Sequence, residues 1–259
     1  MPFPYRKVLV LGATSGIGRA LASRFVAEGS RVVVVGRRQD RLDDFVAQHG
    51  ADKAAGFQFD LSRIPDLPAF AARVGAAHPD LDCVLVNQGV QRILDFSKPD
   101  TVAMDEVAAE MTVNYLSAVA LTRAFLPLLQ QKSAPTTLMY TSSGLALVPL
   151  SRVPNYCASK AALHAFIQCL RDQLSGSAVN VVELFPPLVQ SELHDDQPGV
   201  SNGRSWGMPV DDYVEQTISG LKQGKLDVPV GTSVLSYDKV EAARSEARQG
   251  LLSALAKSS

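Results

Sequence analysis

The chain has 259 residues, 46% of them hydrophobic and 20% charged, with a net charge of −1. That is enough for a large buried core, and so even a charge balance gives no basic footprint for nucleic acid and no polybasic membrane signal. Three scattered cysteines (Cys83, Cys157, Cys169) and four histidines (His49, His78, His164, His194) lack metal-ligand spacing, so no metal is expected; the thiols read as buried and reduced and the histidines as surface or packing residues.

The N-terminal residues Met1 to Lys7 lead straight into a strand-like run, without the charged-then-apolar pattern of a signal peptide. No apolar stretch is expected to approach the ~20 residues that a bilayer needs, and the expected location is cytoplasmic. Residues 7–11 (KVLVL) form a short apolar run ended by glycine, as a buried parallel strand does. Residues 16–28 then repeat apolar positions at helical spacing and stop at Gly29. The alternation continues: strand 31–35 and helix 38–48, strand 55–59 and helix 64–77, then strand 83–87 followed by helices over 100–113 and 114–131. A fifth strand is expected at 136–140, a long helix at 156–174 and a sixth strand at 179–184. Beyond them come a helix at 210–222, a short strand at 227–230 and a C-terminal helix at 237–256. Strands alternating with helices of this length imply βαβ units and an α/β fold, a Rossmann-like, doubly wound parallel sheet of about seven strands with helices on both faces. No linker-like composition divides residues 1–259, so one domain is expected. Within it, residues 186–209 are rich in Pro, Gly, Ser, Asn and Asp, and so long an aperiodic loop is usually a lid or binding segment.

The first strand–helix turn reads Gly12-Ala13-Thr14-Ser15-Gly16-Ile17-Gly18. Glycines allow a tight turn and let backbone amides approach a pyrophosphate at the positive end of the next helix. An ordinary glycine-rich turn is the alternative, but the place between first strand and first helix favours a nucleotide. At the end of the second strand stand Gly36, Arg37 and Arg38, where a carboxylate would favour NAD. Without that carboxylate, Arg37 is free to grip a 2′-phosphate through paired donors, so NADP(H) is the expected cofactor; Arg38 is taken as the solvent-facing member of the pair. Asp60, followed by Leu61, is placed to accept from an adenine amino group, and Asn87-Gln88-Gly89 falls at the carboxyl edge of the sheet, although each could serve turn chemistry.

Tyr156 and Lys160, four apart in the alanine-rich run Tyr156-Cys157-Ala158-Ser159-Lys160, would share one helix face. A fixed cation beside a phenol favours the phenolate and is expected to pull its pKa down. On its own this pair is a common surface arrangement.

Taken together, these separated motifs resemble the short-chain dehydrogenase/reductase family over nearly the whole chain. The glycine motif matches, with Leu11 where many members have threonine; Ser143 stands thirteen residues before Tyr156, the family's spacing for its active-site serine, with Ser142 adjacent. The resemblance implies an Asn114–Ser143–Tyr156–Lys160 tetrad, Asp60 at the adenine, and Pro186, Val189 and Ser191 at the nicotinamide end. Val86 and Gln88 replace two residues of the family's Asn-Asn-Ala-Gly stretch, and Pro187 replaces a glycine, which removes a donor and stiffens the lid entrance.

The implied activity is carbonyl–alcohol interconversion with NADP(H) on a small, largely apolar substrate. Tyr156 acts as acid/base, Ser143 holds the carbonyl oxygen, Lys160 binds the nicotinamide ribose, and Asn114 extends a proton path through water. An imine or enone reductase, or a non-catalytic NADPH sensor, would use the same scaffold. The lid offers Leu188, Leu193, Trp206 and Met208 with His194, Asp195 and Asp196, as an apolar pocket with a polar rim would; Trp206 is either a substrate wall or a lid anchor. Family members commonly form homodimers or homotetramers through helices equivalent to 114–131 and 156–174. Ala158, Ala161, Ala162 and Ala165 suit such packing and suit a core equally.

Overall fold

Successive residues of a strand point to opposite faces of a sheet, so segments as apolar as KVLVL and RVVVV require cover on both sides. The structure, a computed structural model that describes residues 3–195 and 205–256, provides it. Strands β1 (Lys7–Leu11), β2 (Arg31–Gly36), β3 (Ala54–Gln58), β4 (Cys83–Val86), β5 (Thr136–Thr141), β6 (Val179–Phe185) and β7 (Asp227–Pro229) form one seven-stranded sheet. All pairs are parallel, in the order β3-β2-β1-β4-β5-β6-β7. The helices are α1 (Gly16–Ala27), α2 (Gln39–His49), α3 (Leu67–Ala77), α4 (Met104–Met111), α5 (Ser117–Gln130), α6 (Pro154–Gln173), α7 (Val210–Lys222), α8 (Thr232–Ser236) and α9 (Ala242–Ala256).

Leu9 and Leu11 lie with Val33, Val35, Val84 and Tyr140 on one face, where Phe70 of α3, Phe125 of α5 and Ile167 of α6 cover them. Val8 and Val10 lie with Val32, Val34, Leu85 and Met139 on the other, beneath Phe25 of α1, Phe45 of α2 and Tyr213 of α7. Each such side chain contributes roughly 2 kcal/mol through its removal from water. The one polar group of Tyr140 meets Thr122 Oγ1 at 2.6 Å, so its burial leaves no hydroxyl unpaired. Strand order reverses between β1 and β4, which opens a crevice at the carboxyl ends of those strands.

Four local expectations change. The two helices expected over 100–131 are one run, joined by a π-helical turn at Thr112–Leu116. This run, Met104–Gln130, has 27 residues and is long and apolar enough to cross a membrane, contrary to the expectation that no stretch is. Leu121, Phe125 and Leu129 turn its α5 portion onto the sheet, so that portion serves as a core helix. The C-terminal helix begins at Thr232 rather than 237 and has a second π turn at Tyr237–Glu241. Cys83 and Cys157 are buried as expected, whereas Cys169 is exposed.

His164 is more than a packing residue. It is 2% exposed and holds Glu183 of β6 at 2.9 Å through Nδ1 and Glu241 of the C-terminal arm at 3.1 Å through Nε2. Arg244 approaches the same Glu241 carboxylate at 3.5 Å. Burial alone would lower the His164 pKa, but the hydrogen bonds and charges of the two carboxylates outweigh it and raise the value to about 9. The stabilisation is therefore complete below pH 6.5 and is lost as pH rises through 9. Lys160, lowered to about 8, works in the opposite sense above that pH. Between pH 6.5 and 8 the melting temperature should fall, by a stability change on the order of 1–2 kcal/mol. Calorimetry of wild type and His164→Gln checks this; a slope unchanged in the variant would remove His164 as its source.

Candidate active site

The turn from β1 to α1 depends on three glycines in two different ways. Gly12 (φ +88°) and Gly16 (φ +52°) adopt left-handed backbone that costs glycine nothing. The Gly12 and Ala13 amides donate to Val35 O at 3.0 and 2.9 Å, which ties the turn to β2. Gly18 is needed for space: a Cβ there would fall 2.1 Å from Gly12 O and 2.4 Å from Asn87 Nδ2. Asn87 in turn donates to Gly12 O at 2.9 Å and accepts from Thr141 Oγ1 at 2.8 Å, a clasp joining the turn, β4 and β5.

Above this turn lies a cavity of about 720 Å³, the size of a cofactor or substrate site. Thr14, Ser15, Gly16 and Ile17 form its near wall with Gly12, and Asn87 and Gly89 also border it. Arg37, Arg38, Asp60 and Leu61 line it, as do Ser143, Tyr156 and Lys160, with Pro186, Val189 and Ser191 on the lid side. Two of the expected residues, Gly18 and Asn114, lie behind the lining. Asp60 accepts from the backbone and hydroxyl of Ser62, at 3.0 and 2.7 Å, so it also shapes its own turn.

The arginine pair departs from expectation. Arg38 is the inward member: Nη2 donates to Thr14 Oγ1 at 2.9 Å and Nη1 to Glu192 at 2.8 Å. Arg37 is exposed, and its guanidinium has no hydrogen bond or ion pair among the described residues. Its charge nevertheless helps hold the Asp60 carboxyl below its ordinary range: burial would raise that value, and the Ser62 bonds with the nearby arginines more than offset it.

At the opposite end, Tyr156 is 6% exposed near the start of α6, which Pro154 opens within its first turn. Burial pushes the phenol above its usual value, and the hydrogen bond to Ser143 offsets this only in part. The expected lowering by Lys160 is thus not found in the protein alone. The Lys160 ammonium lies over the Tyr156 ring, 5.7 Å from its centroid, and donates to Thr141 O at 2.9 Å. Burial lowers its own pKa to about 8, opposed by Glu183 and Glu110. Ser143 Oγ also accepts from Leu145 N at 3.1 Å, which fixes its rotamer, whereas the adjacent Ser142 hydroxyl is buried without a partner among the described residues. Asn114, on the π turn, donates to Val90 O and Ser159 Oγ and accepts from Val90 N, each at 2.9 Å. A Cβ at Gly89 would lie 3.5 Å from Asn114 Oδ1 and 3.6 Å from Lys160 Nζ, so the missing side chain leaves open space beside both groups. Left-handed glycines at one wall, a guanidinium without a hydrogen bond or ion pair among the described residues at one end and a buried phenol at the other fit a dinucleotide.

Known proteins agree with this geometry. Residues 6–198 match the family model described as short chain dehydrogenase. The chain belongs to that family. It is accordingly an oxidoreductase. Among curated relatives, the uncharacterized oxidoreductase DltE of Bacillus subtilis is 32% identical over 221 residues, 85% of this chain and 86% of that protein. The Dehydrogenase/reductase SDR family protein 7-like of Drosophila melanogaster is 30% identical, over 86% of this chain and 68% of that protein. A short-chain dehydrogenase from Sphingobium yanoikuyae, solved in complex with NADPH, superposes with a TM-score of 0.81 at 26% identity, covering 96% of this chain and 95% of that one. One from Burkholderia phymatum, in complex with NAD, shares the fold with a TM-score of 0.78 at 19% identity, over 88% and 89%.

Several contributors in this short chain dehydrogenase escape a motif search. Thr141 accepts from Lys160, and Ser159 braces Asn114 while donating to Tyr156 O at 2.8 Å. Glu110, 1% exposed on α4, accepts from Arg92 N and Asn155 Nδ2, which holds the residue next to Tyr156. Ser159 stood inside the quoted motif; the others were marked by nothing local. Gln88 donates to Ser117 Oγ at 3.0 Å, so its extra length is spent on α5. Cys157 takes a packing role, its sulfur accepting from Leu150 N at 3.3 Å. In the segment expected to be a lid, Leu188, Leu193 and His194 border the cavity, whereas Trp206, 40% exposed, does not, which argues against a substrate wall. Asp196 lies outside the described residues.

Proposed function

We propose that this short chain dehydrogenase interconverts a carbonyl and an alcohol on a small, largely apolar substrate with NADP(H). The observation that carries the reading is the Ser143–Tyr156 hydroxyl pair, backed by Lys160, in the same cavity as the glycine turn. The dinucleotide would rest on the turn from Gly12 to Ile17, with Arg37 at the 2′-phosphate, Asp60 and Leu61 at the adenine, and Val189 and Ser191 at the nicotinamide; when bound, it supplies or takes the hydride. The NADPH complex of the Sphingobium relative supports that cofactor class.

Tyr156 supplies the proton. A phenol kept above its usual pKa by burial is neutral near pH 7, the form that can donate to a carbonyl oxygen. Ser143, its rotamer set by Leu145 N, offers the same oxygen a second hydrogen bond and so orients the carbonyl. Lys160 keeps a positive charge beside the phenol, which favours Tyr156 while it is ionised after the transfer. Asn114, clamped by three hydrogen bonds, keeps Val90 and Ser159 in place around the open space at Gly89, where a water could link Lys160 outward. Val148, Leu150 and Leu188 are each nearly half exposed and line the cavity, which supports an apolar substrate.

Residues 1–259 act as one domain in this reading, since both core clusters share one sheet. The working form is a homodimer or homotetramer. Ala158, Ala161 and Ala165 are exposed on α6, which favours close approach of a partner helix over the core alternative.

Arg37→Ala tests the cofactor choice. Losing charge-assisted hydrogen bonds to a phosphate costs about 1.5–3 kcal/mol, so NADPH should bind roughly 10- to 100-fold more weakly while NADH binding holds. Titration by nicotinamide fluorescence measures both; equal losses for the two would move the assignment away from a phosphate at Arg37.

A further inference from the structure

Glu192 stands on the lid, yet it reaches across to the β2–α2 corner. Its carboxylate accepts from Arg38 Nη1 at 2.8 Å and from Arg41 Nη1 at 3.2 Å. Burial would raise the Glu192 pKa, but these partners hold it below its ordinary value, so the group is an anion near neutrality.

Both sides of this contact are fixed by other bonds, unlike a typical exposed ion pair. Arg38 is pinned by Thr14 through two donors. Glu192 opens a short 3-10 turn, capped by Ser191 Oγ, three residues after the bridge that joins Val189 to Met208 begins to organise the lid at Leu188 O. Gln190 N also donates to Met208 O at 2.9 Å. An anion is therefore held, by the fold itself, on two of the three arginines that lie at the end of β2 and start of α2.

Resting on the NADP(H) reading above, we propose that Glu192 limits how strongly this enzyme distinguishes NADP(H) from NAD(H). Its carboxylate takes the donors of Arg38 and Arg41 that a 2′-phosphate would otherwise use, leaving Arg37 to bind the phosphate alone. A phosphate monoester carries a charge of about −1.5 to −2 and three acceptor oxygens near neutral pH. It competes with Glu192 for those guanidinium groups and is repelled by the carboxylate. A ribose 2′-hydroxyl does neither. Glu192 is thus a specificity residue as well as a fastener of the lid, and the phosphorylated cofactor loosens a contact that the unphosphorylated one leaves closed.

Calorimetric titration with adenosine 2′,5′-bisphosphate and adenosine 5′-monophosphate isolates the 2′-phosphate from the rest of the cofactor. Glu192→Gln keeps the shape of the side chain and removes its charge. The bisphosphate should bind about five- to tenfold more tightly to this variant, a gain of the size that one released ion pair allows, and the monophosphate should change less than twofold. In an Arg38→Ala background most of that gain should disappear. An equal change for both nucleotides, or weaker binding of the bisphosphate, would overturn the proposal. Wild-type protein that binds the two nucleotides equally, unaffected by Arg37→Ala, would instead defeat the NADP(H) reading; Glu192→Gln would still decide whether the carboxylate occupies a latent phosphate site.

Discussion

Tyr156→Phe should lower turnover about 1000-fold, the middle of the range for loss of a general acid, while NADPH affinity stays within about twofold. The variant removes a single oxygen. Burial keeps the proton on that oxygen, and it shares the cavity with the Ser143 hydroxyl proposed to orient the carbonyl. The aromatic ring, 6% exposed, keeps its packing against Val153, Cys157 and the neighbouring Leu145, and Lys160 keeps its bond to Thr141 O. Stability should therefore change little, and a loss of activity cannot be blamed on unfolding if the melting curve is unaltered. Steady-state rates of NADPH oxidation with a panel of ketones and aldehydes supply the measurement. Retention of full activity by the phenylalanine variant would show that Tyr156 is not the acid.

Gly18→Ala should produce a large loss of stability from a single methyl group. Its Cβ would lie 2.1 Å from Gly12 O and 2.4 Å from Asn87 Nδ2, and the first of these is backbone that the Asn87 clasp already holds. Neither neighbour is the loose end of a flexible chain, so the turn itself has to move. Overpacking of this kind costs about 3 kcal/mol or somewhat more, equivalent to a fall in melting temperature of roughly 6–12 °C for a chain of this size. NADPH binding should weaken with it, because the amides of the turn shift. Gly176→Ala is the control: nothing lies within 4 Å of its Cβ position, and the change should be nearly neutral. Comparable urea midpoints for the two variants would contradict this account of Gly18.

What could be read in advance follows physical range. The strands were legible because an apolar run between glycine or polar turns has few other uses, and every strand fell within one or two residues of its expected place. The glycine turn and the Tyr156–Lys160 spacing were legible because their geometry is local to one turn and one helix face. Which of Arg37 and Arg38 faces solvent was anticipated in reverse for a related reason. Adjacent arginines look alike in sequence, and what draws Arg38 inward is Thr14 on one side and Glu192, 154 residues away, on the other. The expected drop in the Tyr156 pKa failed similarly: a neighbouring cation is visible in a motif, whereas the depth of burial that outweighs it belongs to the assembled sheet and lid. His164 looked like a packing residue because its carboxylates lie 19 and 77 positions away.

The π turn at Thr112–Leu116 has a consequence for how this chain tolerates length changes. A π turn holds one more residue than the α-helical turn it replaces, and each residue of an α-helix advances the side chains by about 100°. Deleting one residue between positions 112 and 116 would let an uninterrupted α-helix form, at the expense of rotating one flank by that angle relative to the other. If α4 stayed in place, Leu121, Phe125 and Leu129 would swing off the sheet; if α5 stayed, Glu110 would leave Arg92 and Asn155. The bulge is thus a phase shift between two helical faces with different obligations, one to the core and one to α6. Asn114 sits at the point where the two phases meet.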